Sequence, residues 1–218
     1  MISLPRISRL AAAQRFDTLL DDVLANGRHI PLAIRMRLGG CEASLGAAAI
    51  AFGLRRYLEL TLGPTPQALA LARALLDRRA PDGAFGSVAS TAAAIGALRC
   101  LADHLGACPR SIEPSAEARD VASQVSGAIS DAVGALRAAM VSSPSALRGR
   151  PLLGDELDTL IALWQLSDHA DVADDLDLPV LLASLEDLGL RHDAALGPFL
   201  ARAEAALAGS VARRSTLA

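Results

Sequence analysis

Ala- and Leu-rich runs, interrupted at intervals by Gly, Pro and Ser, make up most of the chain. Both residues favour helix, and the interruptions mark where one helix stops and the next begins. Residues 8–26 form the first such segment, with Ser8 as N-cap and Gly27 as stop. Leu19, Leu20, Val23 and Leu24 share its inner face, opposite Asp17, Asp21 and Asp22. A short piece over 31–38 ends at Gly39-Gly40, and a long apolar helix over 43–62 is closed by Gly63-Pro64. Thr65 before Pro66 places an N-cap ahead of a proline at the first helical position, opening a helix to residue 79. A turn over 80–86 leads into a helix over 88–105.

The second half reads the same way. Residues 107–114, with two prolines, form a connector, and Ser115 caps a long helix that runs to 141. Residues 142–154 are a loop, after which Asp155 caps a helix to 169. The acidic stretch 168–177 reads as an exposed connector, followed by helices over 179–188 and 193–208. The last of these is bent near Gly197-Pro198, and 210–218 is a frayed tail. The expected class is all-α, built of antiparallel helical hairpins in a single domain over 1–218, with a subdivision conceivable near 107–114.

Composition sharpens this picture. Ala and Leu occupy 45 and 38 of the 218 positions, against nine Val, nine Ile and six aromatic residues, so strand formers are scarce. All 21 basic residues are Arg. Without Lys there is no Schiff-base chemistry, no Lys general base and no phosphate-loop lysine. No uncharged stretch, 43–54 and 86–98 among them, reaches the ~18 residues that a membrane span needs. Cys41, Cys100 and Cys108 are an odd number without CxxC spacing, and are expected to be reduced and mostly buried. Residues 1–13 have no apolar core of signal-peptide length, so the expected location is cytoplasmic.

The formal charge of −3 conceals an asymmetry. Residues 1–110 hold 13 Arg against 8 acids, whereas 111–218 hold 8 Arg against 16 acids. Opposite halves attract, either within the fold or between molecules. Nucleic-acid binding is not expected, because the Arg are scattered and there are few rings for base stacking.

Two strings suggest repetition. ALRCLADH at 97–104 and ALWQLSDH at 162–169 share five of eight residues at an interval of 65. Residues 67–104 contain Asp82-Gly83, then Phe85-Gly86, then Ser90-Thr91-Ala92. Asp-Gly permits a tight reversal with positive φ at Gly83, Phe85 can plug the junction between hairpins, and small residues at 92–94 and 96 allow close helix approach. This segment resembles one repeat of the prenyltransferase and squalene/terpene-cyclase family, whose α/α-toroid is built from helical hairpins, and the resemblance extends over 44–104. It implies a toroid-like frame with Asp82, Gly83, Phe85 and Gly86 as structural repeat residues. Arg79 stands where that family has Gln, Phe85 where Trp is commoner, and loop 142–154 lacks the signature. The length suits a reduced or partial toroid.

The family's chemistry is harder to place. Val172-Ala173-Asp174-Asp175 lacks the first Asp of the cyclase DxDD motif, and Asp21-Asp22-Val23-Leu24-Ala25 lacks the last Asp of DDxxD. Six rings spread along the chain are few for a cavity that stabilises carbocations. Candidate metal ligands are Cys100 and His104, four apart on one helix, with Asp168, His169, Asp174 and Asp175. The alternatives are a buried Cys, a His favoured at a helix C-terminus, and an acidic helix cap. No catalytic residue and no cofactor is assigned. The run 178–190, with Leu178, Val180, Leu181, Leu182 and Leu185, reads either as a partner-binding face or as ordinary core. The functional expectation is a non-catalytic binding or scaffold protein with a protein partner or homo-oligomer. The alternatives are an isoprenoid-handling enzyme and a carrier of an apolar small molecule.

Overall fold

A computed structural model describes residues 46–60, 65–107, 115–141, 150–194 and 196–215. The helices expected over 8–26 and 31–38, the Asp21-Asp22 pair, Cys41 and Cys108 lie outside the described residues. Among the described residues there are eight α-helices and no strand. They are α1 Ala47–Leu60, α2 Pro66–Leu76, α3 Val88–Ala107, α4 Ala116–Val141, α5 Glu156–Leu166, α6 Ala170–Asp175, α7 Leu178–Asp187 and α8 Gly197–Ser215. A 3-10 turn, Leu190–His192, joins the last two.

The caps expected from sequence form. Thr65 Oγ1 accepts from the Ala68 amide at 3.2 Å, Ser115 Oγ from Ala118 at 3.1 Å and Asp155 Oδ1 from Asp158 at 2.8 Å. Each satisfies an amide that the first helical turn leaves unpaired. Several boundaries differ from expectation. α2 ends at Leu76 and α5 at Leu166, three residues earlier than expected in each case. Pro198 does not bend the last helix but sits in its first turn, where a proline has no amide to lose. That helix also continues past 208 to Ser215. The acidic connector contains a helix of its own, α6, whose Val172 and Ala173 are buried. It is followed by Asp177 in the left-handed region at φ 50°.

Helices α1, α3 and α5 lie side by side as one row, with α2 and α4 packed behind them. α1 packs on α2, and α3 on α4. Arg55 of α1 reaches Gln165 at the end of α5, past Gly96 of α3, and Arg99, three residues further along α3, reaches Asp171 beyond that end, so α3 and α5 run the same way. Arg73 meets Glu117 and Asp120, and Arg79 meets Asp131, so α2 and α4 also advance together. α7 and α8 close against the other side of α5. At the centre is α3, whose residues 91–98 are buried without exception. A helix buried all round must be apolar or small on every face, and this accounts for its run of alanines.

The entries to α3 and α5 are alike in detail. Gly86 and Gly154 both take positive φ, +97° and +68°. The next residue, Ser87 or Asp155, caps the helix. The preceding residue's amide then bonds to a threonine six positions on: Phe85 to Thr91 Oγ1 at 3.0 Å, and Leu153 to Thr159 Oγ1 at 2.8 Å. The structural interval is thus 68 residues, not the 65 of the matching strings. Those strings are not equivalent in the fold: 97–104 lies inside α3, whereas 162–169 runs off the end of α5. Phe85 is buried at the first entry. Gly83, at φ +88°, lays the Asp-Gly turn against the α4 backbone, where a Cβ would come within 2.6 Å of the Asp131 carbonyl oxygen.

The second entry can be tested without changing its shape. Thr159 is fully buried, and its hydroxyl accepts from Leu153 and donates to Asp155 O at 2.7 Å. Thr159→Val leaves the Leu153 amide buried without a partner, at a cost of about 1–3 kcal/mol. Thermal unfolding should show the midpoint lowered by roughly 2–4 °C per kcal/mol for a chain of this size.

Candidate functional site

The acids of the stretch 168–177 are exposed, as expected, but they carry a short helix and a row of arginine partners. Asp168 faces Arg55 of α1 at 3.8 Å, Asp171 pairs with Arg99 of α3, and Asp175 pairs with Arg137 of α4 at 3.0 Å. Arg137 Nε also donates to the Asp175 carbonyl at 2.7 Å. Three acids from one short segment therefore bind to three different helices. Asp171 is partly buried, which alone would raise its pKa, but the Arg99 hydrogen bond and charge outweigh this and hold the carboxyl below the usual range. The charge asymmetry of the sequence is met within the fold: Arg55, Arg73, Arg79 and Arg99 from the first half all reach acids of the second.

Where this row begins, a cleft of about 330 Å³ opens between α1, the end of α5 and α8. Arg55, Trp164, Ser167, Asp168, Arg202, Ala203 and Ala206 line it. Arg55 donates to Gln165 Oε1 at 3.2 Å and also meets Glu59 at 3.5 Å. Trp164 stacks obliquely with Phe52, with centroids 6.0 Å apart, and edge-on with Phe199 at 5.7 Å. The Arg202 guanidinium sits over the Phe199 ring at 5.9 Å. Half of the chain's aromatic residues thus meet at one place, although they are scattered in sequence. Nothing at positions 52, 164 and 199 taken singly announces this, because it depends on how α1, α5 and α8 cross.

The candidate metal ligands do not converge. Among the described residues no group of three or more His, Cys, Asp and Glu is placed to hold a metal ion. Asp168 and Asp175 are engaged by arginine, and Asp174 stands directly before Asp175 on α6. Cys100 and His104 are neighbours on α3, with Sγ and Nδ1 4.0 Å apart. His104 Nδ1 lies 2.9 Å from the Cys100 carbonyl oxygen and donates to it, leaving only Nε2 as a ligating atom. Burial pushes the Cys100 thiol up, Glu59 and Asp103 add to this, and Arg55 opposes it. The thiol is therefore protonated at neutral pH and is not an activated nucleophile.

α7 spends its leucines on the core: Leu178, Leu181 and Leu185 are fully buried. Leu182 is partly buried against the core, and Val180 is exposed. The five residues read as a partner face therefore do not form one surface. Asp82, Gly83 and Gly86 border a second, more open cavity of about 680 Å³ beside the carboxyl-terminal half of α4.

His169 precedes α6 and is largely buried, and its Nε2 has no hydrogen-bond partner among the described residues. Burial pushes its pKa below the ordinary value, and Arg55 and Arg99 reinforce this against the opposing Asp103 and Asp168. The folded chain thus holds His169 neutral while the unfolded chain protonates it below pH about 6.5. Stability is complete above that pH and falls as the pH drops from there toward the depressed folded value. Urea unfolding at about pH 7.5 and about pH 5.5 should show a smaller loss for His169→Gln than for the parent chain, and equal losses would exclude this role. Comparison with family models, with curated proteins and with solved structures returns no match to this chain.

Proposed function

We propose that the chain is a non-catalytic binding or scaffold protein, working in the cytoplasm through a protein partner or by self-association, on a reduced α/α-toroid frame. One observation carries this reading: the centre of the helical array is filled. α3, the middle helix of that array, has residues 91–98 buried on every side, so none of them faces the open cavity that a cyclase or an apolar-ligand carrier needs. The side-by-side row α1, α3, α5 backed by α2 and α4 supports the hairpin frame. The acids that a cyclase would direct into a cavity are instead taken up by arginines at the surface.

A filled centre moves function to the outside. Among the described residues Tyr57 and Val180 are the exposed large apolar side chains, so contact does not rest on a greasy patch. The outer face of α4 offers a different kind of surface. Ala122, Ser126, Ser130, Gly134 and Ala138 are exposed at four-residue intervals along it. Side chains this small let a second helix approach closely, with the i±4 ridges interdigitating.

Sedimentation equilibrium from micromolar to millimolar protein tests this. The mass should rise above the 22.5 kDa of one chain, and Ser130→Arg should return it to that value. A parent chain that stays at one copy contradicts self-association. Turnover of squalene or an allylic diphosphate contradicts the non-catalytic reading.

A further inference from the structure

The cleft at Trp164 has features that neither the core nor the frame requires. We infer that it binds a small organic monocarboxylate. Arginine pairing supplies the first argument. Arg55, Arg73, Arg79, Arg99, Arg137, Arg150 and Arg191 each meet a carboxylate of the chain. Arg202 has no carboxylate partner among the described residues, although it borders a cavity. Arg119 has none either, but it is exposed on α4 and borders neither cavity described above. Arg202 is oriented at the cleft by the Phe199 ring, three positions back on the same helix, leaving its forked N–H donors open to a ligand.

Charge and shape then narrow the class. The ionised groups lining the cleft are Arg55, Arg202 and Asp168, a net of one positive charge in a chain whose formal charge is −3. One carboxylate neutralises that excess and matches the guanidinium fork with two parallel hydrogen bonds. A phosphate dianion would place its second charge near Asp168. Trp164 supplies a flat wall, partly accessible and held by Phe52 and Phe199. At about 330 Å³ the space is at the small end of ligand pockets, suited to a small acid.

Trp164 is the chain's only tryptophan, so its fluorescence reports on this cleft alone. Titration of the full chain with phenylacetate should change the emission saturably, and phenylacetamide, which has the ring without the charge, should not. Arg202→Gln should weaken phenylacetate binding at least about tenfold, as expected for loss of a charge-assisted hydrogen bond, and Arg202→Lys should restore part of it. Arg202 is exposed, so these variants should keep the parent's far-UV circular dichroism. The inference is overturned by any of four results: no saturable change with phenylacetate, an equal response to the amide, undiminished binding by Arg202→Gln, or inorganic phosphate binding more tightly than phenylacetate.

Discussion

Three helices meet at Gly96, and the rest of the fold depends on how closely they do so. A Cβ built there would lie 2.9 Å from the Gln165 carbonyl oxygen and 3.5 Å from Arg55 Nη1. With only hydrogen at that point, the end of α5 rests on the α3 backbone. Arg55 crosses over α3 to bond Gln165 and face Asp168. That crossing sets where α5 ends, where Asp168 and His169 emerge, and how Trp164 meets Phe52. Each alanine beside Gly96 buries little area by itself, but small side chains bring backbones together and gain dispersion contacts along the whole helix. The core is therefore made of close approach as much as of large side chains, which suits a chain with 45 alanines.

Arginine provides the second layer of order. The pairs from α1, α2, α3 and α4 to acids elsewhere are largely exposed, and each contributes at most about 1 kcal/mol. Their value lies in selection. An Ala/Leu-rich helix face has few features to distinguish one partner from another. Asp168, Asp171 and Asp175, each facing a different helix, specify which faces meet and in what register. Lysine would serve less well, because a planar fork grips a carboxylate in a defined orientation. The charge asymmetry between the two halves of the sequence is the trace of this arrangement.

Much of the frame was legible in the sequence because local chemistry dictates it. Thr65, Ser115 and Asp155 cap their helices as their positions imply, and Gly83 takes the positive φ that an Asp-Gly turn needs. The acidic stretch gives no local sign of α6, because the helix depends on tertiary contacts: six residues with three acids of their own, and Asp168 and Asp177 beside them, form a helix only where arginines wait for them. Shared letters suggest a repeat at an interval of 65. The fold repeats a backbone device instead, a left-handed Gly followed by a cap and a buried Thr, which tolerates Phe85 in one copy and Leu153 in the other. The cleft was invisible for a plainer reason. Phe52, Trp164, Phe199, Arg55 and Arg202 are far apart in the chain, and no spacing rule connects them.

Replacing Gly96 with alanine tests the crossing most directly. In an open helical position the change from Gly to Ala stabilises by roughly 0.5–1 kcal/mol. Gly127 of α4, where a Cβ would meet nothing within 4 Å, is such a position. At Gly96 the added methyl meets a backbone carbonyl that cannot move aside without displacing α5. Thermal unfolding of the two variants should therefore shift in opposite directions, with Gly127→Ala above the parent chain and Gly96→Ala below it. A Gly96→Ala chain as stable as Gly127→Ala would mean that α3 and α5 do not touch there, and the arrangement of the core and of the cleft would be wrong.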